Sequence, residues 1–358
     1  MLYCVAENRQ DCEIGLRYLL ITFRRFCPEG RIAVFYPEPC DTFKNWLTKI
    51  PQAEHISDFP DVPKNAGWNC KPYALLSLLE RGEEEVIWLD SDIMLTRDPS
   101  PLFTDLSLET LVAAQEPLSQ PYQGTEIRTN GWNLPVGRSL PWTLNSCVVR
   151  VTSYHIPLLK KWIELLNHPE YITSASLPIA QRPIHLLGDQ DVLGALVGAT
   201  EFADFPVYYL RSGINVIHCG GALGYSLRER FIGLFKSIPT FIHGIGCKPW
   251  IMFHENHTPR FCWYPGLRRL LVETSPYMAL CRSYESEVEF HTLPAWLGNG
   301  SWLHRHSCVG LFFRVIGLGH HALRGLPLTA IATVVDPLKK WLNVKLTLIN
   351  KKQTMIQD

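Results

Sequence analysis

Leu2-Tyr3-Cys4-Val5-Ala6, the segment Ile14 through Phe26, and Ile32-Ala33-Val34-Phe35-Tyr36 are the stretches whose reading decides the fold. The first and third are short apolar runs of strand-forming residues, and the second has the length of a helix. Strand, helix and strand within about 35 residues make a βαβ unit, which implies a parallel sheet. The same alternation continues outward. A helix is expected over 42–50 and a polar stretch over 51–65. A second helix is expected over Lys71–Arg81, where Leu75, Leu76, Leu78 and Leu79 form an apolar stripe. Glu85-Val86-Ile87-Trp88-Leu89 reads as a strand that runs directly into Asp90-Ser91-Asp92.

Further strands are expected at 111–115 and Asn145–Val151, with a helix at Pro157–Asn167. Residues 116–142 are rich in Gly, Pro, Asn and Trp and read as one long loop, a length usually kept for function. An apolar, strand-like run at Ile184–Leu187 precedes a helix that opens on Asp189. Val207–Tyr209 and Val216–His218 read as short strands, 219–224 as a glycine-rich loop, and Phe241–Ile245 as a strand. After about residue 260 the pattern changes. The expected organisation is an α/β domain over 1–258 and a mainly helical extension over 259–358.

Composition narrows the function classes. Hydrophobic residues make up 46% and charged residues 19% of 358 residues, so the chain buries a substantial core. A formal net charge of zero argues against a nucleic-acid binder, which needs a basic face. The eleven cysteines form no C-x-x-C pair, which favours buried free thiols over disulfides or structural zinc. No basic segment followed by an apolar one opens the chain, and no run of about 18 apolar residues occurs. These features predict a cytoplasmic protein, with Asn256 and Asn299 as chance matches to the glycosylation pattern. Residues 301–358 carry eight Lys/Arg against two acids, so this end could lie on the inner, anionic face of a membrane or pack on the domain as helices.

Asp90 and Asp92 are the sharpest chemical feature. Ligands of open α/β sheets bind beyond the carboxyl ends of the strands. Two carboxylates there offer hard oxygen ligands to Mn²⁺ or Mg²⁺, with a diphosphate completing the shell. A bare D-x-D is also an ordinary acidic turn. Lys71 could reach donor phosphates or be a plain surface lysine. Asn145-Ser146-Cys147 could hold a sugar hydroxyl or cap a turn. Asp189, Gln190 and Asp191 open a helix, where acids act as caps, yet they could grip sugar hydroxyls. His243-Gly-Ile-Gly-Cys-Lys248-Pro-Trp250 unites an imidazole for a metal, glycines that allow close backbone approach, and a cation for phosphate.

Taken in order, these pieces resemble the retaining glycosyltransferases of family 8, over roughly residues 1–255. The carriers are Tyr3 through Asn8, Lys71, Trp88 through Asp92, Asn145-Ser146, Gly188-Asp189-Gln190, and His243 through Trp250. The resemblance implies a GT-A fold: α/β, a Rossmann-like, mostly parallel sheet flanked by helices. It implies Asp90, Asp92 and His243 at the metal, with Asp90 also near the donor ribose. It places Ala6 and Asn8 by the nucleoside, Lys71 and Lys248 on donor sugar or phosphates, and Asn145, Asp189 and Gln190 around the transferring sugar. The implied donor is a UDP-sugar, UDP-glucose or UDP-galactose, and the acceptor a carbohydrate, lipid-linked or protein hydroxyl. Three departures stand out: Glu7 where the family shows Asp or Asn, Cys147 for its glycine, and five residues rather than six from His243 to Lys248. The rivals from other classes are a non-catalytic sugar-nucleotide binder on the same fold and a haloacid-dehalogenase-type phosphatase. In the latter an early D-x-D is followed by Gly-Thr, where this chain has Ile93-Met94.

Overall fold

The computed structural model describes residues 1–58, 62, 67–117, 125–220, 225–245, 248–252, 270–289, 308, 311, 312, 315 and 320–335. The chain divides into two units. The first comprises Met1–His218, Pro239–Gly244 and Tyr284–Phe290, and the second Cys219–Ile238, Ile245–Ser283 and His291–Asp358.

The first unit is built on a seven-stranded sheet flanked by helices. Its strands are β1 (Leu2–Ala6), β2 (Ile32–Phe35), β3 (Ala53–Ile56), β4 (Glu85–Leu89), β6 (Leu111–Gln115), β7 (Leu144–Thr152) and β8 (Val207–Leu210). They lie in the order β3-β2-β1-β4-β7-β6-β8. Every strand runs parallel except β7, which is antiparallel to both β4 and β6. A second sheet joins β5 (Ile93–Leu95), β10 (Phe241–His243) and β9 (Val216–His218), in that order.

The sequence explains the helices that support this sheet. In α1 (Glu13–Phe26), Glu13 sits in the first turn and pairs with Arg17 one turn on, while Arg24 and Arg25 occupy the last turn. Both arrangements favour the helix dipole. Leu16, Leu19, Leu20 and Phe23 are buried against the sheets. α2 (Asp41–Leu47) buries Phe43 and Trp46, and α3 (Lys71–Glu80) has Pro72 in its first turn, where a missing N–H costs nothing. α4 (Thr125–Gly131), α5 (Ile156–Leu166), α6 (Pro169–Ala175) and α7 (Asp189–Gly198) complete the set used here. Trp162 of α5, fully buried, donates its indole N–H to the Asp189 carbonyl at 3.0 Å and so fixes the start of α7.

Several local expectations are corrected. The polar stretch 51–65 contains β3, whose Glu54 and His55 face solvent, so the strand has no apolar alternation to reveal it. The long loop over 116–142 contains α4. Ile184–Leu187 is no strand: Ile184–Leu186 is a single 3₁₀ turn entered from Pro183. Nine described cysteines are free, seven of them buried, as expected. Among the described residues no helix is long and apolar enough to cross a membrane. The basic stretch 301–358 and both Asn-x-Ser/Thr matches fall largely outside the described residues.

Candidate metal and sugar-nucleotide site

The strand order places a crevice where it reverses, between β1 and β4. β1 is followed by β2 and β3 on one side, and the chain then returns to place β4 on the other. Such a switch point is where open α/β sheets bind ligands. Ala6 ends β1 half-buried and Asn8 is exposed just beyond it. Glu7 is buried and fully engaged. It accepts Arg9 Nε at 2.8 Å, Arg9 Nη2 at 2.9 Å, the backbone N–H groups of Asn8 and Arg9, and Ser91 Oγ at 2.6 Å. The carboxylate that departs from the family pattern therefore staples the loop after β1 to the loop after β4.

Asp90 and Asp92 follow β4 directly and differ in exposure. Asp90 Oδ1 accepts the Trp88 indole N–H at 2.6 Å, and its side chain stays partly open. Asp92 is buried, and its main-chain carbonyl accepts the Gly244 N–H at 2.9 Å. β5 follows at once and pairs antiparallel with β10, in a register that sets His243 opposite Ile93. His243 Nε2 thereby comes within 3.4 Å of Asp92 Oδ1 and 3.9 Å of Asp90 Oδ2. One ligand atom from each of the three residues lies within 4.8 Å of the others. That separation is about twice a metal–ligand bond, and two carboxylates with one imidazole form a donor set suited to Mn²⁺ or Mg²⁺. The electrostatics agree. Burial opposes charge on His243, while Cys147 and Asp92 beside it favour charge and raise it well above the ordinary histidine range. Burial raises the Cys147 thiol in turn, with His243 beside it opposing. A site that holds a proton between His243 and Asp92 offers the same atoms to a divalent cation.

Behind Asp90 lies a buried polar cluster. Lys71 Nζ is 2.6 Å from Ser146 Oγ, 3.0 Å from Asp90 Oδ1 and 3.3 Å from Asp189 Oδ2. Ser146 Oγ in turn donates to Asp189 Oδ2 at 2.7 Å. Burial works against the Lys71 charge, but Asp189 and Asp90 outweigh it and hold the ammonium protonated. Burial raises Asp189, with Lys71 and Ser146 opposing. Lys71 is thus paired with two protein carboxylates. Asp191 sits one step away, raised by burial to about 6 despite its 2.7 Å pair with Arg128 Nε.

Sequence reasoning missed two residues that organise the site. Glu116, at the end of β6, accepts Asn145 Nδ2 at 2.7 Å and Gln190 Nε2 at 3.0 Å, so one buried carboxylate holds both amides expected near a sugar. The available signal was positional: an acid immediately beyond a strand, like Asp90. His218, at the end of β9, brings Nδ1 within 3.0 Å of His243 Nδ1, and only the pairing of β9 with β10 reveals it. Lys248 belongs to the second unit, half-buried ahead of the helix Pro249–Met252.

No protein-family model matches the chain, and no curated protein matches it either. Solved structures do. The galactosyltransferase LgtC, in complex with donor and acceptor sugar analogs, is 17% identical over 82% of this chain and 98% of its own, at a TM-score of 0.45. The glycosyltransferase GlyE of Streptococcus pneumoniae TIGR4 is 16% identical over 81% of this chain and 64% of its own, at 0.47. The bifunctional glycosyltransferase WbbM is 12% identical over 78% of this chain, at 0.49, and this chain spans about half (51%) of its length. All three are glycosyltransferases. What the present site can do follows from its own side chains.

Proposed function

We propose that this chain is a metal-dependent, retaining glycosyltransferase that moves a hexosyl group from a UDP-sugar to an acceptor hydroxyl. The observation that carries the reading is the meeting of Asp90, Asp92 and His243 at the carboxyl end of β4, beside the switch point of the sheet. Mn²⁺ or Mg²⁺ held there would neutralise charge developing on the leaving diphosphate. Asp90, Asp92 and His243 would hold it. Gln190, fixed by Glu116, borders the sugar hydroxyls, and Asn145, bonded to both Glu116 and the Cys147 N–H, backs it. Ala6 and Asn8 border the nucleoside.

Asp189 is committed to Lys71 and Ser146, and Asp191 to Arg128. Neither is placed as a free nucleophile, which favours attack by the acceptor on the face that the diphosphate leaves. The anomeric carbon–oxygen bond to phosphate breaks, with its electron pair going to the diphosphate. The acceptor oxygen bonds to the same carbon from the same face, and its proton passes to the departing phosphate oxygen. The reacting carbon carries oxocarbenium character, which the surrounding carboxylates stabilise. The phosphatase reading gains no support, because Asp90 is already hydrogen-bonded to Trp88 and paired with Lys71.

The test is release of UDP from UDP-glucose and UDP-galactose, with Mn²⁺ and with EDTA, for wild type and Asp92→Asn. Mn²⁺-dependent release that the substitution abolishes is expected. UDP binding without turnover of either donor would favour a non-catalytic binder. Absence of both binding and release would end the proposal.

A further inference from the structure

The ring of His218 decides which nitrogen of His243 is free to bind a cation. β9 and β10 are parallel neighbours, and their register sets His218 beside His243 with ring centroids 5.2 Å apart. Both rings are buried. His218 Nε2 lies 3.0 Å from the main-chain carbonyl oxygen of Gln115. A carbonyl only accepts, so this nitrogen carries a hydrogen and donates it. With its hydrogen held at Nε2 by that carbonyl, His218 turns the lone pair of Nδ1 toward His243. His243 Nδ1 faces that lone pair at 3.0 Å and must be the donor. The opposite tautomer of His243 would set two lone pairs against each other in a buried space, where an unmet polar group is costly.

We infer that His218, backed by the Gln115 carbonyl, is a positioning residue that accepts the His243 Nδ1 hydrogen and so presents Nε2 to a cation that displaces the proton held toward Asp92. The inference rests on the metal reading of Asp90, Asp92 and His243. It adds a residue that touches neither cation nor substrate. It also gives Cys147 a defined place: its sulfur lies with both imidazoles in a second group whose ligand atoms are within 4.8 Å of one another. A soft cation bound there would engage both imidazoles and undo the relay.

The experiment uses the full chain. Mn²⁺ binding is measured by calorimetry for wild type, Asp92→Asn, His218→Leu and His218→Asn, and Co²⁺ is titrated with its absorption spectrum followed. Leucine fills the space without an acceptor, whereas the asparagine oxygen can still accept from His243. His218→Leu should weaken Mn²⁺ binding about ten- to a hundredfold, the usual effect of losing such a partner, and His218→Asn should recover most of it. In folded wild type loaded with diamagnetic Mg²⁺, nitrogen NMR of His243 should find the proton on Nδ1, a readout independent of whether the leucine variant folds. A proton on Nε2, wild-type affinity in a folded His218→Leu, or a cobalt–thiolate band lost in Cys147→Ser would each overturn the inference. If wild type binds no Mn²⁺, or Asp92→Asn binds it equally well, the metal reading falls first and the inference falls with it.

Discussion

Replacing Lys71 with methionine should expose how the buried cluster behind Asp90 is balanced. Methionine keeps most of the side-chain volume and removes the ammonium. In the native protein that ammonium lies 3.0 Å from Asp90, 3.3 Å from Asp189 and 2.6 Å from the Ser146 hydroxyl. Without it Asp189, buried, retains the Ser146 hydroxyl, and Asp90 the Trp88 indole and, at 3.9 Å, His243. Removing one member of a buried ion pair costs about 3–5 kcal/mol, because the remaining charge stays desolvated. We expect a loss in that range near pH 7. The pH dependence has a definite sign. Burial already raises Asp189 and Lys71 opposes the rise. Its loss raises Asp189 further, so the variant's deficit is full above this raised value and shrinks as the pH falls and the carboxyl is protonated. Guanidinium unfolding followed by tryptophan fluorescence, near pH 7 and near pH 5, measures both. Combining Lys71→Met with Asp189→Asn should recover at least half the loss, since the second change removes the stranded charge. A loss under about 1 kcal/mol, or one that grows on acidification, would refute this account of the cluster.

The remaining expectations concern other parts of the first unit. His155 accepts the Thr152 N–H at Nδ1 (3.1 Å) and donates from Nε2 to the Glu109 carbonyl (3.2 Å). Burial lowers it to about 4, below its unfolded value of about 6.5, so its contribution is full above the higher value and disappears as pH falls through the lower. That amounts to about 3 kcal/mol, and urea unfolding across this range should show a slope that His155→Gln flattens. Glu116→Gln should slow transfer about ten- to a hundredfold, the worth of losing charged hydrogen bonds of about 1.5–3 kcal/mol, while calorimetric Mn²⁺ affinity stays unchanged. A Cβ on Gly137 would stand 2.5 Å from Thr200 Cα and 2.7 Å from Ala203 Cβ, so Gly137→Ala should cost about 1–3 kcal/mol in thermal unfolding.

The elements most legible in the sequence were those whose burial writes a local pattern. β1 and β2 are apolar throughout, β4 is apolar after its first residue, Glu85, and α1 and α5 carry amphipathic stripes, so each was readable within its own residues. β3 and β5 were not. β3 is a polar edge strand, and β5 is three residues long and exists by pairing with a strand nearly 150 positions away. The site divides the same way. Asp90 and Asp92 announce themselves by following a strand, and His243 by its glycine-rich setting. Their convergence depends on the β5–β10 register, and His218 on the β9–β10 register, neither of which leaves a mark in the residues themselves. The commitment of Lys71 was also hidden, because a lysine opening a helix looks the same whether it meets water or two buried acids.

β7 is the one strand of the large sheet that runs against the rest, and this has a consequence for how such a protein can change. Because β6 and β7 are antiparallel neighbours, the end of one and the start of the other lie side by side, and Glu116 N–H donates to the Thr143 carbonyl at 3.0 Å across the gap. The whole excursion between them starts and finishes at the rim of the site, like a handle riveted at two adjacent points. Yet the excursion is no free appendage: α4 packs on α7, Arg128 pairs with Asp191, Thr129 bonds to the Ala195 carbonyl, and Trp132 joins the core. A segment that borders the site is thus also a buttress of the helix beneath it, and variation along it reaches Gln190 and Asp191 as well as the rim.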